Sequence, residues 1–282
     1  MTSGSIVVNE LTYAYAGTAK PALAHLSFTV PAGQICAVVG SNGSGKSTLC
    51  LTLAGFVPSH MGGRLTGQVS VAGHAVASSS PADLVGEVGL VFQDPRRQIT
   101  GARSTVREEI AFGLENMGVA RAEMAERVAA TLALVGLGEL ADRSPEGLSL
   151  GQEQRLALAS ILVVAPRVLI LDEPTAHLDP AGRRQLRAVL QQLVAETGIT
   201  LMVVDQQLEW LAGLAERALV LADGRLVADG PTREVLADPT VIARGLRPTG
   251  YTLAGQAVRA AGLTATAGPL PCTLAQAVEF LR

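Results

Sequence analysis

The chain is short of aromatic side chains, with one Trp, three Tyr and five Phe among 282 residues. Its core must therefore be built from Ala, Val and Leu, the residues that pack strands against helices, and 48 % of the sequence is hydrophobic. Its three cysteines, Cys36, Cys50 and Cys272, show no C-x-x-C spacing, which argues against a disulfide framework or a thiolate metal site. They read as small core hydrophobes in a reducing compartment. There is no excess of basic residues: the net charge of −3 leaves no bulk attraction to nucleic acid. No apolar run is long enough to span a bilayer, since the longest, from Leu156 to Val164, is closed by Pro166 and Arg167. Met1 to Ser5 are polar and uncharged, so no signal peptide is expected. No internal repeat or long linker interrupts the chain. A mean hydropathy of +0.34 points to a large buried interface.

What the sequence does hold is a phosphate-binding loop. Gly40-Ser41-Asn42-Gly43-Ser44-Gly45-Lys46-Ser47-Thr48 fits G-x-x-x-x-G-K-[ST]. Its setting fits too: Gln34 to Val39 reads as a buried parallel strand, and Thr48 to Ala54 reads as a helix stopped by Gly55. Glycines let backbone N–H groups turn onto an anion with no Cβ in the way. The helix start adds unpaired N–H groups and the positive end of its dipole. In this pattern Lys46 neutralises the β and γ phosphates, and the Ser47 hydroxyl ligates Mg²⁺, which prefers oxygen. The motif in this context predicts a nucleoside-triphosphate-binding α/β protein.

A second carboxylate-bearing stretch strengthens the prediction. Val168-Leu169-Ile170-Leu171 is a fully apolar strand ending in Asp172 and Glu173. Asp172 at the strand end is placed to hold Mg²⁺ through water, and Glu173 to polarise an attacking water. Around these two motifs, residues 5–35 alternate apolar and polar as an antiparallel β layer, and Gln68–Val71 and Val88–Phe92 are further strands. Gln93 to Gln98 form a polar loop directly after a buried strand, where α/β sheets place ligand contacts. From Thr105 to Leu140 the period is helical, opened by Ser104, Thr105 and Glu108 as capping residues. Leu148 to Arg155 open another helix, Arg183 to Glu196 form an amphipathic one, and Thr200–Val204 is a buried strand. A late hairpin joins Leu219–Leu221 to Leu226–Ala228 through Asp223-Gly224-Arg225. After Pro231 the chain is helical, loosens near Arg247-Pro248, and ends in a short amphipathic helix from Thr273 to Leu281.

Taken in order, these stretches resemble the nucleotide-binding subunit of an ATP-binding cassette (ABC) transporter over roughly residues 6–240. Tyr15 is similar to the aromatic that stacks on adenine, although a half-buried strand tyrosine explains it equally. Gly40 to Thr48 resembles the Walker A loop, Gln93 the Q-loop glutamine that reaches Mg²⁺ and the membrane partner, and Val168 to Glu173 Walker B with its catalytic glutamate. Ser149, Leu150, Gly151 and Gln152, preceded by Leu148, resemble the signature that acts on a partner's ATP, and Ala176 to Asp179 the D-loop. The run from Val91 to Gln98 and that from Thr105 to Gly113 resemble the ATPases of energy-coupling factor (ECF) transporters, which import vitamins or transition-metal ions. The tail from Pro269 to Arg282 is similar to their small C-terminal segment for dimer contacts. The resemblance implies a nucleotide-binding domain over residues 1–245, with a helical subdomain at about 94–165, and a C-terminal helical extension over 246–282. It implies ATP and Mg²⁺ as cofactors, a second ABC ATPase subunit in a hetero- or homodimer, and transmembrane coupling and substrate-binding proteins as partners. The chain would then sit peripherally on the cytoplasmic face of the cell membrane, without nucleic acid. The alternative is a soluble or regulatory ABC ATPase not coupled to transport.

Two positions depart from that pattern. Leu150 stands where the family has the first glycine of its signature, and Gln206 aligns with the switch histidine beside the γ-phosphate. Glutamine donates a hydrogen bond but cannot carry charge. Because the family's active sites pair Walker A of one subunit with the signature of another, the two changes imply an asymmetric heterodimer. His177 lies in the D-loop stretch, whereas His25, His60 and His74 read as surface or turn residues. Arg96 and Arg97 read equally as contacts to a membrane partner or as a solvated basic pair.

Overall fold

The computed structural model describes residues 4–244, 246–263 and 268–281. Two sheets carry the architecture. The first is antiparallel: β1 (Ile6–Ala14) lies between β2 (Leu23–Val30) and β4 (Arg64–Val71), and the two-residue β5 (His74–Ala75) pairs with β4. The second has six strands in the order β10-β9-β3-β8-β7-β6. These are β3 (Ile35–Val39), β6 (Val88–Val91), β7 (Val168–Asp172), β8 (Thr200–Val204), β9 (Arg217–Ala222) and β10 (Arg225–Pro231). All neighbours in it run parallel except the β9–β10 edge hairpin.

The central strands are apolar on both faces because both faces are covered. Cys36, Val38, Ile170, Met202, Val204 and Leu219 point toward the antiparallel sheet and α1 (Lys46–Leu53). The alternate residues Ala37, Val39, Leu169, Leu171, Leu201 and Val203 point into a helical layer. That layer includes α2 (Val106–Asn116), α3 (Arg121–Leu134), α4 (Leu150–Leu162), α5 (Pro180–Thr197) and α6 (Leu208–Ala212), with α7 (Thr232–Ala237) and α8 (Pro239–Ile242) after the hairpin. The period-two alternation of each strand thus separates two cores.

The sequence expectations hold at most boundaries, and the differences have local causes. The phosphate-loop helix begins at Lys46 rather than Thr48, because Gly45 in the left-handed region (φ 101°) already turns the chain into it. The amphipathic helix α5 begins at Pro180, three residues early: proline is preformed for a first helical turn, and Asp179 caps it by accepting from the Gly182 N–H at 2.6 Å. The late hairpin turns on Asp223 and Gly224 alone (φ 49° and 76°), and Arg225 already belongs to β10. The serine-rich stretch before β6 folds into short 3₁₀ turns. Two helices had no bounds in the sequence reading: α6, and within the stretch expected as a helical extension, α9 (Gly250–Ala260). The signal for α9 was the N-cap Thr249, whose Oγ1 accepts from the Thr252 N–H at 3.0 Å. The terminal helix α10 spans Leu274–Phe280.

Candidate functional site

Strands β3, β7 and β8 end side by side, with Asp172 paired in register to Val204. The loops leaving their carboxyl ends converge where an open parallel sheet gathers its ligand contacts. The loop after β3 is Gly40 to Gly45. A Cβ on Gly45 would lie 2.7 Å from the Ala22 carbonyl oxygen and 2.8 Å from Leu23, so both backbone angle and space demand glycine here. Lys46 is buried, and its Nζ donates to the carbonyls of Gly40 and Ser41, each at 2.9 Å, folding the side chain over the loop. Burial lowers the Lys46 pKa, while Glu173 and Asp172 act in the opposite direction.

Asp172 ends β7 on the floor of this cradle. Burial raises its carboxyl above the ordinary carboxylate value, opposed by a hydrogen bond from the Ser47 hydroxyl. Among the described residues its buried Oδ1 accepts no hydrogen bond, and the buried Ser44 hydroxyl likewise has no partner. Such orphaned oxygens are rare in finished protein interiors. A carboxylate oxygen left open beside a serine hydroxyl and a phosphate loop fits a hard divalent cation. Glu173 has φ 49°, a left-handed turn unusual for glutamate, and its N–H donates to the Val204 carbonyl at 2.8 Å. That turn sends the adjacent carboxylates apart.

Two glutamines meet the Glu173 carboxylate. Gln93 Nε2 donates to Oε2 at 2.9 Å, and Gln206 Nε2 donates to Oε1 at 2.8 Å. Gln206 Nε2 also donates to Asn42 Oδ1 at 3.2 Å, tying the β7, β8 and β3 loops together. A cavity of about 350 Å³ opens here, lined by Asn42, Gly43, Gly45 to Thr48, Gln93, Glu173 and Gln206. Tyr15 reaches the rim, its hydroxyl 3.1 Å from Thr48 Oγ1 and its ring edge-on to Tyr13. The structure therefore brings together the phosphate loop, Tyr15, Gln93, Asp172, Glu173 and Gln206.

The remaining candidate residues stand elsewhere. Ser149 caps α4, with Gln152 Oε1 accepting from its N–H at 2.8 Å. Leu150 is 37 % exposed at the first turn of that helix, with Gly151 and Gln152 part-buried behind it. Asp179 is occupied as the cap of α5, and His177 is exposed. Sequence reasoning missed what Arg96 does: its Nε donates to the buried Glu153 carboxylate of α4 at 3.0 Å. Gln98 Nε2 likewise donates to the Ala157 carbonyl at 3.1 Å. Arg97 lies over the Phe92 ring at 5.6 Å. The loop after β6 is thus fastened to α4, so Gln93 and the exposed α4 start belong to one connected unit.

A family model described as ABC transporter matches residues 23–176 of this chain, more than half of it. The chain belongs to the ABC transporter family. It is an ATP-hydrolysing-type nucleotide-binding subunit of that family, with the fold its sequence predicted. It is 43 % identical over 235 residues to the energy-coupling factor transporter ATP-binding protein EcfA1 of Levilactobacillus brevis, covering 83 % of this chain and 81 % of that one. A putative ABC transporter ATP-binding protein of Pyrococcus abyssi is 38 % identical and covers 92 % of each chain. Among solved structures it is similar to cbiO1 of Clostridium perfringens, part of the ABC transporter complex cbiONQ. That match has a TM-score of 0.74 and 32 % identity, covering 85 % of this chain and 92 % of cbiO1. Among the described residues no helix is long and apolar enough to cross a membrane.

Proposed function

We propose that the chain is the ATP-hydrolysing subunit of an ECF-type importer, moving a vitamin or a transition-metal ion through separate membrane proteins. The observation that carries this is the Glu173 carboxylate, held by Gln93 and Gln206 in the same cavity as Lys46 and Ser47. ATP lies along Gly40 to Thr48 with Tyr15 beside the base, and Lys46 leaves the loop carbonyls for the β and γ phosphates. Ser47, Gln93 and Asp172 would hold Mg²⁺, which when bound would supply Lewis-acid neutralisation of phosphate charge. Glu173 orients a water in line with the γ-phosphorus and takes its proton. The new P–O bond forms as the bond to the bridging oxygen breaks, leaving ADP and phosphate. Gln206 sets the Glu173 carboxylate by hydrogen bonding without adding charge.

Ser149, Leu150, Gly151 and Gln152 act on the ATP of a second ABC subunit, with Asp179 and its loop at the junction between the two. Residues 1–245 form the nucleotide-binding domain, and residues 246–282 add a dimer contact. The ECF ATP-binding relatives and the transporter-complex membership of cbiO1 support transmembrane partners and a peripheral position on the cytoplasmic face of the membrane. The departures at Leu150 and Gln206 favour a heterodimer with a more standard ATPase.

The test is ATP turnover by the purified chain, alone and mixed with a second ABC ATPase subunit. Glu173→Gln keeps the shape and removes the base, so turnover in the mixture should fall about a hundredfold or more while ATP binding persists. Turnover indifferent to Glu173→Gln would sink the assignment and leave a regulatory cassette.

A further inference from the structure

A second cavity, of about 430 Å³, adjoins the first and shares Asn42 and Gln206 with it. It is lined by Gly40, Ser41, Asn42, Asp205 and Gln206 and, from far along the chain, by Leu246 and Arg247. The last two come from the segment after α8, more than 200 residues from the loop they face. That segment is held in place rather than draped. Leu246 is buried in the helical-side core together with Leu208 and Leu211 of α6. Three residues after Arg247, the Gly250 N–H donates to Glu209 Oε1 on α6 at 3.0 Å. Anchors on both sides thus fix Arg247 beside the helix that directly follows Gln206.

The one carboxylate of this cavity, Asp205, is 3 % exposed and already accepts from the Thr175 N–H and hydroxyl and the Gln207 N–H. Gln206 spends both amide hydrogens, one on Glu173 and one on Asn42, and so turns only its acceptor oxygen to further groups. Lys46 lines the neighbouring cavity instead. Arg247 is the one cation among the described residues lining this cavity, it is exposed, and it makes no ion pair or hydrogen bond among the described residues. An anion at the end of the phosphate loop would meet a planar, permanently charged donor there.

We infer that Arg247 of the C-terminal segment is a phosphate-facing residue of this chain's own ATP site, supplying the positive charge that Gln206 does not. The inference rests on the ATP-site reading above. It gives the C-terminal segment a second task besides any subunit contact: coupling the position of α6 and α9 to the presence of the terminal phosphate. A ligand with that phosphate gains a charge-assisted hydrogen bond, and one without it does not.

Calorimetric titration of the full chain with Mg·ATP and Mg·ADP tests this. Arg247→Gln should weaken ATP binding about tenfold, the size of one charged hydrogen bond, and leave ADP within about twofold. Arg247→Lys should keep most of the preference, and Gln206→His placed on Arg247→Gln should restore part of it at a pH where the imidazole is protonated. Equal losses for ATP and ADP, or no loss for either, overturn the inference while leaving the ATP site intact. Unchanged binding combined with lost turnover in the presence of the second subunit also overturns it, because Arg247 would then serve the partner chain. A wild-type chain that binds no ATP overturns the site reading and this inference with it.

Discussion

The phosphate-loop pole and the signature pole of this molecule are built on opposite plans. At the first, charged groups are buried or half-buried and held by neutral partners: Lys46 by loop carbonyls, Asp172 by Ser47, and Glu173 by Gln93 and Gln206. At the second, Ser149 and Leu150 stand exposed at the start of α4, and their visible bonding is a helix cap. One pole is prepared to receive a ligand from within the chain. The other is an exposed, capped helix start, and the function proposed above gives it a task on a second subunit. The two are mechanically joined, since the loop carrying Gln93 is pinned to α4 through Arg96–Glu153 and Gln98–Ala157. Sites shared between subunits, as proposed above, need both plans in each chain.

The strongest way to break the comparison is to strip the first pole of its buried cation. Lys46→Ala should weaken ATP binding to the isolated chain about a hundredfold, since two or more charge-assisted hydrogen bonds to phosphate are lost together. Titration with ATP checks it, and near-normal affinity would mean the loop holds phosphate by its backbone alone. A smaller effect, confined to the assembly, is expected at the second pole. Ser149→Arg puts an unpaired charge where the plan calls for close approach to another subunit. Turnover of the mixed subunits should drop about tenfold or more, as desolvating an unmatched charge costs several kcal/mol. ATP affinity of the isolated chain should stay within about twofold, because Ser149 is not among the residues lining the ATP cavity. If isolated binding fell as well, the poles would not be separable.

The first pole was largely legible in the sequence, and the reason is local. A phosphate loop needs glycine at positions set by steric contact, such as Gly45 against Ala22, and it must follow a buried strand. Thr105 and Glu108 announced α2 through a capping box, with mutual bonds of 3.1 and 3.2 Å. The clamp on Glu173 was not legible, because Gln93 and Gln206 are 113 residues apart in sequence and meet only through the order of strands in the sheet. Arg96 was ambiguous for the same reason: its partner Glu153 lies on a helix that no local pattern brings near. Leu246 and Arg247 fell in a stretch that reads as loosened, and Leu246 is fixed only by burial against α6. Short-range signals carried the elements, and the site needed the topology.

The mildest test sharpens the comparison by asking what the buried charge at the first pole costs. Burial raises the Asp172 carboxyl pKa, so the folded nucleotide-free chain binds that proton more tightly than the unfolded chain does. The associated stability is fully present below the unfolded value and is lost as pH rises through the raised folded value. At neutral pH the empty site therefore carries a charge it would rather neutralise. Asp172→Asn should make the nucleotide-free chain more stable by about 1 kcal/mol at neutral pH, a size usual for relieving a functional site. The lead should shrink as the pH is lowered and Asp172 itself becomes neutral. Urea unfolding of both proteins across that range measures the difference directly. With Mg·ATP added the order should reverse, because the cation gives the wild-type carboxylate the partner its Oδ1 lacks among the described residues. A variant no more stable than wild type at any pH would mean that the Ser47 hydroxyl already offsets the burial, and that this pole is at rest without its ligand.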